Sequence, residues 1–293
     1  MKRVMLTVAY DGTAYSGWQL QPGRETIEGV LNHCIGELTG EKTEVIGASR
    51  TDSGVHALGN VAVFDTESLI PAEKFSYALN QRLPEDIRIQ GAVEVAEDFH
   101  PRHCESRKTY EYRIYNAPFA MPVKRLYSYF TYVPLNVERM RQGAAYLVGE
   151  HDFKSFCSVD TQALSTVRRV DDICVCEEPL TDIAFADRRV RGRAAGEKQS
   201  GREIVIRVAG GGFLYNMVRI IAGTLMEIGR GKIPPERMKE ILAACDRQAA
   251  GPTAPACGLT LVGYEFLNGS GHLKNQENSA EFREKPVDTR GCV

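Results

Sequence analysis

Ala48-Ser49-Arg50-Thr51-Asp52-Ser53-Gly54-Val55-His56-Ala57 is a polar stretch between two apolar runs of strand type, at about 43–48 and 59–65. It places a carboxylate two residues after a cation, and Gly54 permits a tight or positive-φ turn that brings backbone and Asp52 close to a ligand. Spacing alone favours a simpler turn, with Asp52 bonding its own backbone as Asp commonly does.

On the N-terminal side, Val4, Leu6 and Val8 alternate with Met5, Thr7 and Ala9, which predicts an opening strand buried on both faces. A turn-rich segment, Asp11 to Trp18, leads to a helix from about Thr26, with Ile27, Val30, Leu31, Cys34, Ile35 and Leu38 at helical spacing and Gly40 as its stop. On the C-terminal side, Phe75, Ala78, Leu79 and Leu83 predict a second helix stopped by Pro84, followed by a strand near 87–97. The alternation then repeats. Thr109–Tyr115 reads as a strand, Val137 to Leu147 as a helix, and 167–177 and 203–209 as strands. A long apolar helix is predicted over Phe213–Ile228, a helix from Pro234-Pro235 to about Cys245, and a closing strand over Leu259–Leu267. Asp187–Arg202 reads as an exposed basic loop, and from Asn268 onward apolar periodicity stops. The result is an α+β chain of two similar halves: 1–103, which carries the Asp52 loop, and 104–267, with 268–293 as a disordered tail.

Across 293 residues, 43% hydrophobic and 25% charged content describe a soluble globular protein. The net charge of −2 is unevenly spread. Lys and Arg number 8 against 15 Asp and Glu over residues 1–100, a net of −7, and 20 against 15 over 101–230, a net of +5. A basic middle can present a positive face to a polyanion. The apolar start, Val4–Ala9, is too short for a signal segment, and Gly212–Gly229 contains Asn216, Arg219 and Glu227, so the expected location is the cytoplasm, with no membrane partner. The 8 cysteines form no CxxC pair and the 6 histidines are scattered, so neither a metal nor a disulfide framework is expected.

Arg50-Thr51-Asp52-x-Gly54-Val55-His56-Ala57 resembles the signature loop of the tRNA pseudouridine synthase A family. Further ordered matches support the resemblance: Val8–Thr13 with Gly17-Trp18-Gln19, Thr26-Ile27-Glu28-Gly29, Phe99-His100-Pro101-Arg102 and Lys108-Thr109-Tyr110-Glu111-Tyr112. His151-Asp152-Phe153, Phe213-Leu214-x-x-Met217-Val218-Arg219 and Ala254-Pro255-Ala256-x-Gly258-Leu259 extend it across about residues 4–266. Ser49 and Asn60 depart from the family's commoner Gly and Gln, and neither change removes a group the chemistry needs.

The resemblance implies an isomerase that converts uridine to pseudouridine at positions 38, 39 and 40 of the tRNA anticodon arm. It also implies a homodimer, and two subdomains whose mostly antiparallel sheets join around a basic central cleft. The reaction replaces the N1–C1′ bond by C5–C1′ with no net change of atoms or oxidation state, so no cofactor is expected. Asp52 is the implied catalytic nucleophile. Tyr110 would stack the flipped uracil, Arg219 would pair with Asp52, and Arg50 would contact RNA. The residues themselves leave other readings open: Tyr110 as a core aromatic, Arg219 on a polar helix face, Arg50 as a solvated loop cation and His56 as an anchor of the loop. At the level of function the rivals are a non-catalytic RNA-binding module, a paralogue acting on another RNA, and a nucleosidase that releases the base.

Overall fold

A computed structural model describes residues 1–159, 161, 163–178 and 201–267. The Arg188–Arg193 cluster and the 268–293 tail lie outside the described residues. Contacts divide the chain into two units: Met1–Tyr110 with the stretch that returns from Thr260, and Glu111–Leu259.

In the first unit, β1 (Lys2–Tyr10) runs antiparallel between β3 (His56–Thr66) and β4 (Ile87–Val95), with Leu6 opposite both Ala62 and Ala92. Val4, Leu6, Val8 and Tyr10 are buried, whereas Met5, Thr7 and Ala9 are only half-buried. The expected burial on both faces is therefore complete on one. Met5 joins a thinner apolar cluster of Val63, Val95, Phe99 and Phe266, which does not seal it from water. The strand expected over 43–48 shrinks to β2 (Ile46–Gly47), paired with β3.

Helix α1 (Ile27–Thr39) starts where its sequence puts a cap: the Thr26 hydroxyl accepts from Gly29 N at 3.2 Å, and Gly40 ends it at φ 74°. Ile27, Leu31, Cys34 and Ile35 form its buried stripe. Helix α2 (Phe75–Asn80) stops earlier than its apolar spacing suggests, and Leu83 is buried from the turn that follows. Phe75 meets Phe64 edge-on at 5.2 Å between ring centres.

In the second unit, β8 (Val167–Glu178) and β9 (Arg202–Gly210) form an antiparallel ladder, with β7 (Gly149–Asp152) on the far side of β8 and β5 (Ser106–Asn116) beside β9. The short β6 (Tyr129–Thr131), invisible to periodicity, runs parallel to β5. Helix α3 (Val137–Ala145) packs on β8 and on α4 (Met217–Gly229), and α5 (Arg237–Ala244) follows. Helix α4 begins four residues later than expected, because Asn216 takes a left-handed backbone that no helix can continue through. Its sides are buried almost all round, from Met217 and Val218 to Ile228 and Gly229.

The division differs from the one expected at 103/104. It falls inside the eleven-residue β5, after Tyr110, and the closing strand β10 (Leu259–Phe266) returns to the first unit, where Leu261 pairs with Ala57 of β3 in parallel. A strand this long serves two neighbourhoods, and local sequence does not say where one ends. Tyr110 therefore belongs to the unit of Asp52, not to that of Arg219.

Candidate active site

The loop from Ala48 to Val55 is tied to its surroundings along its length. At its start, Ala48 N donates to Val61 O at 2.8 Å. The Asn60 carboxamide closes a two-way bridge to Ser49, accepting from its N–H at 3.2 Å and donating to its carbonyl at 2.9 Å. In mid-loop, the hydroxyls of Thr51 and the buried Tyr10 lie 2.7 Å apart, and Trp18 N donates to Thr51 O at 3.0 Å. Past Asp52, Tyr15 O receives the Ser53 hydroxyl at 3.2 Å and Gly54 N at 3.3 Å. At the end, Gly12 N donates to His56 Nδ1 at 3.1 Å, and Asp11 Oδ1 lies at the same distance. His56 thus anchors the loop.

Two glycines make this approach possible. Gly54 has φ 78°, the positive-φ turn the sequence suggested. A Cβ on Gly12 would stand 2.0 Å from Val55 O, so only glycine lets the Asp11 turn lie against the loop. Asp52 is half-buried and Arg50 exposed. Backbone bonds therefore fix the carboxylate's Cα while its flanking cation faces water. The turn reading also holds in part, since Val55 N donates to Asp52 O at 3.1 Å.

Tyr110 is buried, at 8% exposure, and its surroundings include the loop. Burial raises the phenol's pKa above its ordinary value; the charges of Tyr10 and Asp52 push the same way, and Ser49 works against them. The phenol stays protonated at neutral pH. The first unit thus brings together Asp52, Tyr110, Tyr10 and Ser49.

Lys108, two residues before Tyr110 on β5, donates to Ala48 O at 3.2 Å and lies 5.4 Å from the centre of the Tyr264 ring. Burial, with the Arg102 charge adding to it, pushes its pKa down to about 8. Burial also lowers Arg102, and Arg50 adds to that, while Glu28 opposes it. Arg50, Arg102 and Lys108 thus form a like-charged group beside the loop with Glu28 as its acidic neighbour. The sequence marks Lys108 both as part of a motif and as a candidate RNA contact, with Arg50, Arg102, Arg107 and the Arg188–Arg193 cluster. A further signal is its alternation with Tyr110 on a strand, which puts both on one face.

Arg219 lies in the second unit, in the first turn of α4, half-buried. Its Nε donates to Ala254 O at 2.8 Å and its Nη1 to Asn216 Oδ1 at 2.7 Å. The motif around Ala254, which matched at the sequence level without a role, therefore holds this guanidinium. Among the described residues no cluster of His, Cys, Asp and Glu could hold a metal ion, and no helix is long and apolar enough to cross a membrane.

A family model described as tRNA pseudouridine synthase matches residues 6–103 and 144–266. Relatives named tRNA pseudouridine synthase A include one from Brevibacillus brevis, 44% identical over 261 residues, which are 89% of this chain and 98% of that protein. One from Caldicellulosiruptor bescii is 43% identical over 262 residues, again 89% and 98% of the two chains. One from Pelobacter propionicus is 40% identical over 266 residues, 91% of this chain and 100% of its own. The chain belongs to the tRNA pseudouridine synthase family, a family of isomerases.

Proposed function

We propose that this chain isomerises uridine to pseudouridine at positions 38, 39 and 40 of the tRNA anticodon arm, acting in the cytoplasm as a homodimer. The observation that carries the reading is the Asp52 loop, whose family signature is held by buried hydrogen bonds from β1, β3 and the Asp11 turn. A nucleophile must be held where it can attack, and correct placement supplies a large part of the rate.

In this reading Asp52 is the nucleophile. The N1–C1′ bond breaks, C5 bonds to C1′, and the proton lost from C5 is balanced by one gained at N1. The uracil leaves its stack and meets the Tyr110 ring, whose protonated phenol is suited to stacking and hydrogen-bond donation. Arg219 pairs with Asp52 and keeps it ionised, a role that rests on the family resemblance. Arg50, Arg102, Arg107 and Lys108 are the candidate contacts to the RNA backbone.

Asp52→Asn keeps the side chain's shape and removes its nucleophile. Pseudouridine formation in tRNA, followed in a single turnover, is expected to fall by 10²-fold or more while tRNA affinity holds. Turnover within about tenfold of wild type would remove Asp52 from the chemistry. Wild-type protein that binds tRNA without forming product would be an RNA-binding module, and product confined to another RNA would mark a paralogue. Tyr110→Leu is expected to slow the single-turnover step by about tenfold and Tyr110→Phe by much less, because the ring survives. Equal and severe losses in both would give the hydroxyl a chemical role.

A further inference from the structure

Helix α4 opens on an uncommon backbone. Asn216 has φ 61°, and Cys245 at φ 47° is the only other non-glycine residue in this region among the described residues. Asparagine visits the left-handed region more readily than most residues, and at a helix start its side chain usually caps a backbone N–H of the first turn. Here it makes no such cap. Its Nδ2 donates to Ser158 Oγ at 2.7 Å, and its Oδ1 accepts from Arg219 Nη1 at 2.7 Å. The assignment of the two amide atoms follows from chemistry, since arginine only donates.

The bridge belongs to a larger frame. Arg219 Nε donates to Ala254 O and Ala254 N donates to Arg219 O at 3.1 Å, so Arg219 is bonded to the 254 segment through both side chain and main chain. Ser158 N in turn donates to Tyr215 O at 3.2 Å, which ties the Ser158 segment to the residue before Asn216. Two N–H groups of a planar guanidinium, held on two separate segments, fix the plane of the whole fork.

We propose that Asn216 is a positioning residue for the isomerisation: its left-handed backbone turns the carboxamide to bridge Ser158 and Arg219, and so sets the plane in which Arg219 presents its remaining N–H groups. The inference rests on the reading that Arg219 serves the Asp52 carboxylate. It explains why asparagine stands here and not glycine. Glycine takes φ 61° freely but offers neither donor nor acceptor.

Asn216→Gly separates the two roles of the residue, because it keeps the backbone and removes the bridge. The single-turnover rate is expected to fall about tenfold, with tRNA affinity changed less than about twofold, the size of effect lost orientation produces. In an Arg219→Lys background, where the planar fork is already gone, Asn216→Gly should change the rate by less than about twofold, because coupled residues are not additive. Ser158→Ala, which frees the other end of the amide, should give a smaller loss of about threefold that also vanishes in that background. A wild-type rate in Asn216→Gly beside an impaired Arg219→Lys overturns the inference and leaves the role of Arg219 standing. A tenfold loss repeated in the Arg219→Lys background also overturns it, since the effect would not pass through Arg219. A wild-type rate in Arg219→Lys alone overturns the reading beneath it.

Discussion

The cations on the sheet of the second unit and the cations beside the Asp52 loop of the first are used in opposite ways, although Arg3 on β1 of the first unit also pairs with a carboxylate, Asp65, at 2.7 Å. In the second, arginines of the sheet are paired with carboxylates, Arg207 with Glu111 at 2.6 Å and Arg113 with Glu111 at 2.7 Å and Glu178 at 2.8 Å, and Lys124, off the sheet, meets Glu203 at 3.3 Å. Arg202 likewise pairs with Glu177 at 2.8 Å. In the first, Arg50, Arg102 and Lys108 gather beside the Asp52 loop, where burial and then the Arg50 charge lower the pKa of Arg102, and burial and then the Arg102 charge lower that of Lys108. Counted along the chain, residues 1–100 are net −7 and 101–230 net +5, which sends a reader looking for a polyanion site to the middle of the chain. Arg102 and Lys108 stand at the start of that basic window and Arg50 outside it, so a window's net charge does not separate cations neutralised within a sheet from cations gathered beside the loop. A cation neutralised within its own sheet holds the fold, whereas cations gathered against like charge are stabilised by an anion brought from outside.

The sharpest way to break this contrast is Arg207→Ala. Glu111 is buried, at 6% exposure, and among the described residues would keep Arg113 alone as its partner. Leaving a buried charge under-paired is expected to lower unfolding stability by about 3 kcal/mol, while the salt dependence of tRNA binding stays unchanged. Denaturant melts and binding titrations on the same protein check both halves. A stable variant with a flatter salt slope would place Arg207 among the RNA contacts.

The converse test is Arg50→Ala with Arg102→Ala. Each charge-assisted contact is worth about 1.5 kcal/mol, so tRNA affinity should drop roughly a hundredfold, with little loss of stability. The slope of log affinity against log salt should flatten by about 0.7–0.9 per contact. An unchanged slope would return both arginines to the solvated surface.

The smallest expected effect isolates the pH behaviour of Lys108. Its folded pKa of about 8 lies below the ordinary lysine value of 10.5, so the unfolded chain binds the extra proton between those values. Below pH 8 the lysine is charged in both states and its burial weakens the fold in full. As pH rises from 8 toward 10.5 that penalty is relieved. Lys108→Met should therefore be more stable than wild type at pH 7, by about 1–2 kcal/mol after the lost bond to Ala48 is set against the gain, with the advantage shrinking above pH 8. A constant difference across that range would show that Lys108 titrates as an ordinary surface lysine.

Much of the fold was legible because local rules and tertiary packing agree. Thr26 and Gly40 bracket α1 as their side-chain and backbone chemistry predicts, and the alternation of β1 and β8 follows their burial, whereas the apolar run of β9 is buried almost throughout. Legibility failed where a non-local partner decides the outcome. The run at 43–48 has strand-like residues, but only Ile46–Gly47 forms a strand ladder with β3. Phe213–Asn216 has helix-like apolar spacing, yet Asn216's left-handed backbone ends the helix before it reaches them. In the site, Asp52, Arg50, Tyr110 and Arg219 were all named from motifs, because residue type and order survive in sequence. Asn60 was noted only as a departure, and Asn216 was passed over inside a matched motif. Their importance lies in which atoms their amides reach.

The sequence by itself determined the polar loop around Asp52, the turn glycines beside it, the alternating strands and capped first helix, and the family to which these ordered motifs belong. Each depends on residues near one another in the chain, where backbone preference and side-chain periodicity act directly. Only the tertiary structure decided that β10 returns to the first unit, that Tyr110 falls on the Asp52 side of the division, and that Lys108 donates to Ala48. It alone decided which cations are neutralised and which are left beside like charge. Such outcomes depend on distances between residues tens of positions apart, and on burial that strengthens or weakens each charge according to what surrounds it.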